Sequence, residues 1–255
     1  MHLLRFRNRF FILCCAVAAA VGVASLGTAD DTELDRYVKK PDTTYTWKVA
    51  KTVEGNPSTT FVVHLKSQSW RTQGEVDRTV WEHWMTVVRP EKVTSKKAFL
   101  MIGGGSNDGR MPEQADAMIR QIAESTNTVV GELRMIPNQP LVFHGDGKPR
   151  KEDDLIAYCW SEFLKTGDAT WLPRLPMVKS VVRAMDSMQE LMKSEQGGGV
   201  AIDKFVVAGA SKRGWTTWMA GAVDPRIAAI IPIVIDVVNV DPSMRHHAEV
   251  YGFWA

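Results

Sequence analysis

Apolar residues change their spacing twice along this chain. Residues 10–26, FFILCCAVAAAVGVASL, are apolar without interruption. Between residues 30 and 95 the apolar positions fall in three short runs rich in Thr, Val and Trp: TYTWKVAKTVEG, TTFVVHLKSQSW and TVWEHWMTVVRP. The turn-prone segments EGNPS and RTQGEVD separate them, so the pattern predicts antiparallel strands. From Lys96 onward short apolar runs alternate with helix-like stretches. KAFLMIGGG, NTVVGEL, KFVVAG and RIAAIIPIVID are the runs. Met111, Ala115, Met118, Ile119 and Ile122 recur at helical spacing between the first two. A longer interval, 152–194, holds two further helical patterns, one on Leu155, Cys159 and Phe163, the other on Met177, Val181, Met185, Met188 and Leu191. The glycines of EQGGG end the second. Strands alternating with helices imply a mostly parallel sheet with helices covering both faces. The fold class expected is therefore α/β. The chain divides into an N-terminal segment (1–29), antiparallel strands (30–95), and an α/β core (96–255) with a helical insertion near 152–194.

The first segment changes the picture of where the chain acts. Arg5, Arg7 and Arg9 precede the apolar run, and the small residues GTA follow it before Asp30. That is the layout of a secretory signal peptide, cleaved to give a secreted protein with no membrane attachment. An uncleaved N-terminal anchor is the alternative, since the run nearly reaches spanning length. Without those three arginines the 31 Lys and Arg fall to 28, against 29 Asp and Glu. No basic surplus argues for nucleic acid. Cys14 and Cys15 belong to the leader, which leaves Cys159 alone, on an apolar helical face that suggests a buried thiol. No Cys/His cluster has metal-ligand spacing, and no cofactor is expected.

Candidate chemistry gathers where the apolar runs end, because ligands of such sheets bind beyond the carboxyl ends of the strands. In FVVAGASKRGWTTW a strand stops at Gly209, and Ser211 stands at the turn before the next helix. Small neighbours give the backbone room to reverse, so the apex serine would project into the crevice at a helix N-terminus. This is the mechanical logic of a nucleophile elbow, although Arg213 stands where Gly-x-Ser-x-Gly has its second glycine. A plain turn with a small polar cap is the alternative. The earlier IGGGSN turn supplies a second element. The backbone amide of Lys212, together with those of Gly104 or Gly105, would form an oxyanion hole facing the Ser211 nucleophile. IGGGSN has neither Walker nor Gly-x-Gly-x-x-Gly spacing, which ranks a phosphate loop low. Lys212 and Arg213 would either steer a carboxylate-bearing substrate or simply solvate the helix start. Glu132 reads as half of a structural ion pair, with Arg134 or Arg213. Trp215 and Trp218 are expected to pack beneath the elbow.

The strings VVAGASKRGWTTWMAGAVDPRIAAIIPIVID, FLMIGGGSN, LRMIPNQPLVF and HHAEVYGFWA together resemble the PhoPQ-activated pathogenicity-related family, from about Tyr37 to the last residue. That family includes secreted proteins named autocrine proliferation repressors. The resemblance implies an α/β-hydrolase fold and hydrolysis of an ester or amide, in a small molecule or a peptide, by acyl transfer to Ser211. It also implies a longer chain, so the sheet is expected to be incomplete at its C-terminus, with an unpaired apolar edge. A hydrolase of this kind orders its triad as serine, acid, histidine. Asp236 would be an acid, with a later residue the stronger candidate, and the base is expected beyond Ala255. His246 and His247 read as helix surface, with Tyr251 and Trp254 as packing residues. A secreted signalling or binding protein that keeps the scaffold without turnover is the alternative function.

Overall fold

A computed structural model describes residues 30–235 and 239–252. Signal-segment residues 1–29, Asp236 and Trp254 lie outside the described residues. A short helix, α1 (Glu33–Lys39), precedes three strands that the sequence marks by their β-branched and aromatic content: β1 (Thr46–Val53), β2 (Ser58–Ser69) and β3 (Val80–Pro90). These pair antiparallel in sequence order. The α/β region follows as β4 (Lys97–Ile102), α2 (Ala117–Thr126), β5 (Val130–Leu133), α3 (Glu152–Thr166), α4 (Arg174–Lys193), β6 (Lys204–Ala210), α5 (Lys212–Val223), β7 (Ile227–Ile233) and α6 (Val240–Tyr251). All strands join one seven-stranded sheet of order β1-β2-β3-β5-β4-β6-β7. β5, β4, β6 and β7 run parallel, and β3 meets β5 antiparallel.

Alternation along β4 divides the sheet into two faces. Ala98, Leu100 and Ile102 join the main core beneath α3 and α4, where Met177, Val181, Met185 and Met188 are buried. Phe99 and Met101 point to the opposite face and pack on Ile119 and Ala123 of α2. α2 begins later than its apolar spacing predicts. The Asp116 carboxylate accepts from the Met118 amide at 2.8 Å and caps the helix there. Met111 therefore falls outside it, and Met118 turns to solvent.

β7 lies at the sheet edge with Ile231 47% and Ile233 38% exposed, the unpaired apolar edge expected at the C-terminal side of the sheet. No described residue packs over those side chains closely enough to bury them. Tyr251 is 63% exposed on α6, and its ring packs on that of His247 with centroids 4.6 Å apart. Among the described residues no helix is long and apolar enough to cross a membrane.

Candidate active site

The turn between β6 and α5 holds Ser211 at φ 54° and ψ −123°. Residues with a Cβ rarely occupy that region, and such strain concentrates at functional sites. The conformation is held from several sides. The Ser211 amide donates to the Ile233 carbonyl at the end of β7 (2.9 Å), and the Trp215 amide donates to the Ser211 carbonyl (3.0 Å). α5 then sits hard against the sheet. A Cβ on Gly209 would fall 2.6 Å from the Arg213 carbonyl oxygen, and one on Gly214 would fall 2.3 Å from Ile235 Cγ2. Only small side chains fit such an approach, and Gly214, Thr216, Thr217 and Ala220 form the buried face of α5. This explains the displaced second glycine: Gly214 is required by helix–sheet contact, and Arg213 projects away from it. It also explains a failed expectation. Trp215 does pack behind the elbow, edge-on to Trp160 and under the Arg174 guanidinium, but Trp218 is turned outward.

The parallel register places the glycine turn beside this elbow. Ile102 pairs with Gly209, so Gly103–Gly105 continue alongside Ala210–Lys212. A Cβ on Gly104 would lie 2.9 Å from an Arg213 guanidinium nitrogen, which fixes how closely the two turns approach. Among the described residues the amides of Lys212, Gly104 and Gly105 have no acceptor. Ser211 itself is exposed, and its hydroxyl has no hydrogen-bond partner among the described residues. The sequence thus brings together an exposed hydroxyl at a helix N-terminus and a bend of unclaimed backbone donors. Negative charge developing at a carbonyl oxygen is what such donors stabilise.

The two cations after the serine are not free to steer a substrate. Their side chains are 11% and 12% exposed. Lys212 Nζ lies 3.0 Å from Glu152 and 2.9 Å from Asp153. Arg213 forks onto both Glu152 oxygens (2.6 and 3.1 Å) and donates from Nε to the Ile136 carbonyl (2.6 Å). Burial by itself would raise the Glu152 carboxyl. Hydrogen bonds from Arg213, Gln139 and Lys212 outweigh it and hold the group at about 2. Neither Glu152 nor Gln139 stood out in the sequence, since neither belongs to a recognisable motif. The only trace of them is the unusual string PNQP, which contains Gln139.

Glu132 pairs with Arg134, which donates from Nε and a terminal nitrogen at 2.9 and 2.7 Å. Cys159 is buried, and desolvation pushes its thiol up to about 12, which suits packing and not reaction. Two clefts open on the same rim. One, of about 480 Å³, is walled by Gly104, Gly105, Ser106, Trp84 and Arg134. The other, of about 550 Å³, shares Trp84 and continues to His64, Glu82 and Asn107. Ser211 lines neither of them. Among the described residues no histidine is hydrogen-bonded to the Ser211 hydroxyl; His83 is fully buried in β3, and His246 and His247 lie on α6. Among the described residues no group of His, Cys, Asp and Glu is arranged to hold a metal.

The family described as PhoPQ-activated pathogenicity-related protein matches residues 34–255. Autocrine proliferation repressor protein A of Dictyostelium discoideum is 46% identical over 226 residues, covering 88% of this chain and 45% of that protein. The chain therefore spans less than half the length of this relative. Among solved structures, acetyl xylan esterase 1 from Thermoanaerobacterium sp. aligns with a TM-score of 0.51 at 11% identity, over 86% of this chain and 65% of that one. Acetyl xylan esterase from Paenibacillus sp. R4 aligns at 0.50 and 13% identity, over 88% and 65%. At these identities the likeness is one of fold, and that fold is the α/β-hydrolase sheet.

Proposed function

The chain belongs to the PhoPQ-activated pathogenicity-related family, and we propose that it carries the nucleophile and oxyanion elements of a serine hydrolase acting on an ester or amide. The observation that carries this reading is the strained Ser211 turn, set beside a glycine bend whose amides are unclaimed. In the proposed reaction the Ser211 oxygen attacks the substrate carbonyl carbon as its proton passes to a base. The oxyanion that forms is met by the amides of Lys212 and of Gly104 or Gly105. Collapse expels the alcohol or amine, which takes the proton, and leaves an acyl group on Ser211. Water then attacks that ester and restores the serine. Asp236, three residues past β7, is one acid for this scheme. The histidine would come from the part of the family's length that this chain does not span. The cleft walled by Trp84 and the glycine turn is the nearest space for part of a substrate, a small molecule or a peptide. No step calls for a metal or an organic cofactor.

A fluorophosphonate probe tests this directly. A full-length protein that contains this chain should be labelled, and Ser211→Ala should lose the label entirely. A wild-type chain and a full-length family member that both stay unlabelled would sink the acyl-transfer reading. They would favour the second one, a signalling or binding protein on a hydrolase scaffold. One observation supports that alternative: the 46% identical relative is named for repressing proliferation.

We also propose that the protein is secreted, on the arginine-then-apolar order of residues 5–26. Expressed in eukaryotic cells, it should reach the medium with a new N-terminus near Asp30. An intact Met1 on membrane-bound protein would instead mean an anchor.

A further inference from the structure

We propose that Glu152 and Gln139 form a clamp that fixes the Gly104–Gly105 bend against the Ser211 elbow, making Glu152 a positioning residue for the amides of both turns. This rests on the acyl-transfer reading for its catalytic meaning, while the clamp itself is a matter of geometry. Gln139 is 4% exposed and spends its whole side-chain amide on the connection. Its nitrogen donates one hydrogen to the Gly105 carbonyl (3.1 Å) and the other to Glu152 Oε1 (2.7 Å). Its oxygen accepts from the Glu152 backbone amide (2.8 Å). The Gln139 carbonyl takes the Asn107 amide just past the bend. From Glu152 the circuit passes to Arg213 and Lys212, the two residues that follow the serine. It closes through the Arg213 guanidinium, which lies against Gly104 and donates to the Ile136 carbonyl. The Met135 and Ile136 amides complete the attachment by donating to the Gly104 and Gly103 carbonyls (2.8 and 3.2 Å).

Two features argue that this circuit does more than fill space. Glu152 adopts φ 50°, a left-handed conformation that a residue with a Cβ does not take without compensation. The clamp supplies that compensation through its own backbone amide. The carboxylate also pairs with two adjacent cations at the positive end of α5. Without it Lys212 would keep only Asp153, and Arg213 only the Ile136 carbonyl. Oxyanion donors act only when held at a fixed distance from the developing charge, and a displacement of about 1 Å costs roughly 10²-fold in rate.

Amide hydrogen exchange on the purified chain tests the clamp without requiring turnover. The probes are the amides of Asn107, Met135 and Ile136, whose acceptors lie on the clamp or the glycine turn. Glu152→Gln and Gln139→Leu, two changes that keep side-chain size, should speed their exchange about tenfold while β2 and β3 amides keep theirs. Unchanged exchange at the three probes, or a uniform rise across the chain, would overturn the proposal. In parallel, if the wild type reacts with a fluorophosphonate, Glu152→Gln should slow labelling of Ser211 by about 10²-fold at the same probe concentration. An unaltered labelling rate would remove the positioning role. Where neither the chain nor a full-length family member labels, the hydrolase reading alone fails, and the exchange data still decide the clamp.

Discussion

Replacing Ser211 by glycine is expected to stabilise the protein, while replacing Gly209 by alanine, two residues earlier, destabilises it by about 3 kcal/mol. The two effects come from the same turn. Ser211 holds φ 54°, a conformation that costs about 1–3 kcal/mol for a residue with a Cβ. Glycine removes that cost but adds chain freedom to the unfolded state, worth about 0.5–1 kcal/mol in the other direction. The difference favours Ser211→Gly by about 1 kcal/mol. Ser211→Ala keeps the Cβ and the strain, so its stability should match the wild type. At Gly209 the added methyl meets the Arg213 backbone carbonyl at 2.6 Å and the Thr217 hydroxyl at 2.9 Å. Backbone at the start of α5 must shift to admit it. Urea unfolding of the three variants and the wild type checks the order Ser211→Gly, then wild type and Ser211→Ala, then Gly209→Ala. A Ser211→Gly variant less stable than Ser211→Ala would mean that the turn is unstrained. The case for an elbow would weaken accordingly.

Acid is expected to weaken the fold through His83. This residue lies fully buried in β3, and desolvation pulls its imidazole down to about 4 against the favourable pull of the Arg134 and Met135 backbone. Its Nδ1 lies 3.2 Å from the Arg134 carbonyl and can only donate there. Nε2 therefore accepts, from the Ser67 hydroxyl at 2.9 Å. A protonated ring would have two donors facing Ser67 and Arg134, with its charge fully buried. Below its ordinary pKa of 6.5 the unfolded chain binds the proton first, so stability falls as pH drops from 6.5 to 4. At about 1.4 kcal/mol per unit the loss reaches about 3 kcal/mol, and above pH 7 this group contributes no slope. Unfolding free energies at pH 7.5 and 4.5, compared between wild type and His83→Gln, isolate it from the carboxylates. Equal slopes for the two proteins would show that His83 is not the group responsible.

Much of the site was legible because the signals are local. The reversal at Gly209–Ser211 follows from which residues tolerate a tight strand-to-helix turn, and those residues are neighbours in the chain. The same holds for the glycine run after β4, for the antiparallel strands near the N-terminus, and for the Met177–Leu191 stripe of α4. Cys159 could be read as a buried thiol from the apolar residues one helical turn away. The misreadings were of another kind. Trp218 was placed under the elbow by helical spacing alone, yet α5 approaches the sheet so closely that its inner face admits only Gly, Thr and Ala.

By itself the sequence determined the family, the alternation of strand and helix, and the serine presented at a turn between β6 and α5. Each of these depends on side chains within a few residues of one another, where backbone sterics and periodicity act. Only the tertiary structure decided the fate of Lys212 and Arg213, because their partner Glu152 lies 61 residues from Arg213 along the chain. It also decided that Gln139 ties that carboxylate to the glycine turn. Such pairings depend on which strands the sheet sets side by side. That order is fixed by the packing of the whole core, and no short pattern encodes it.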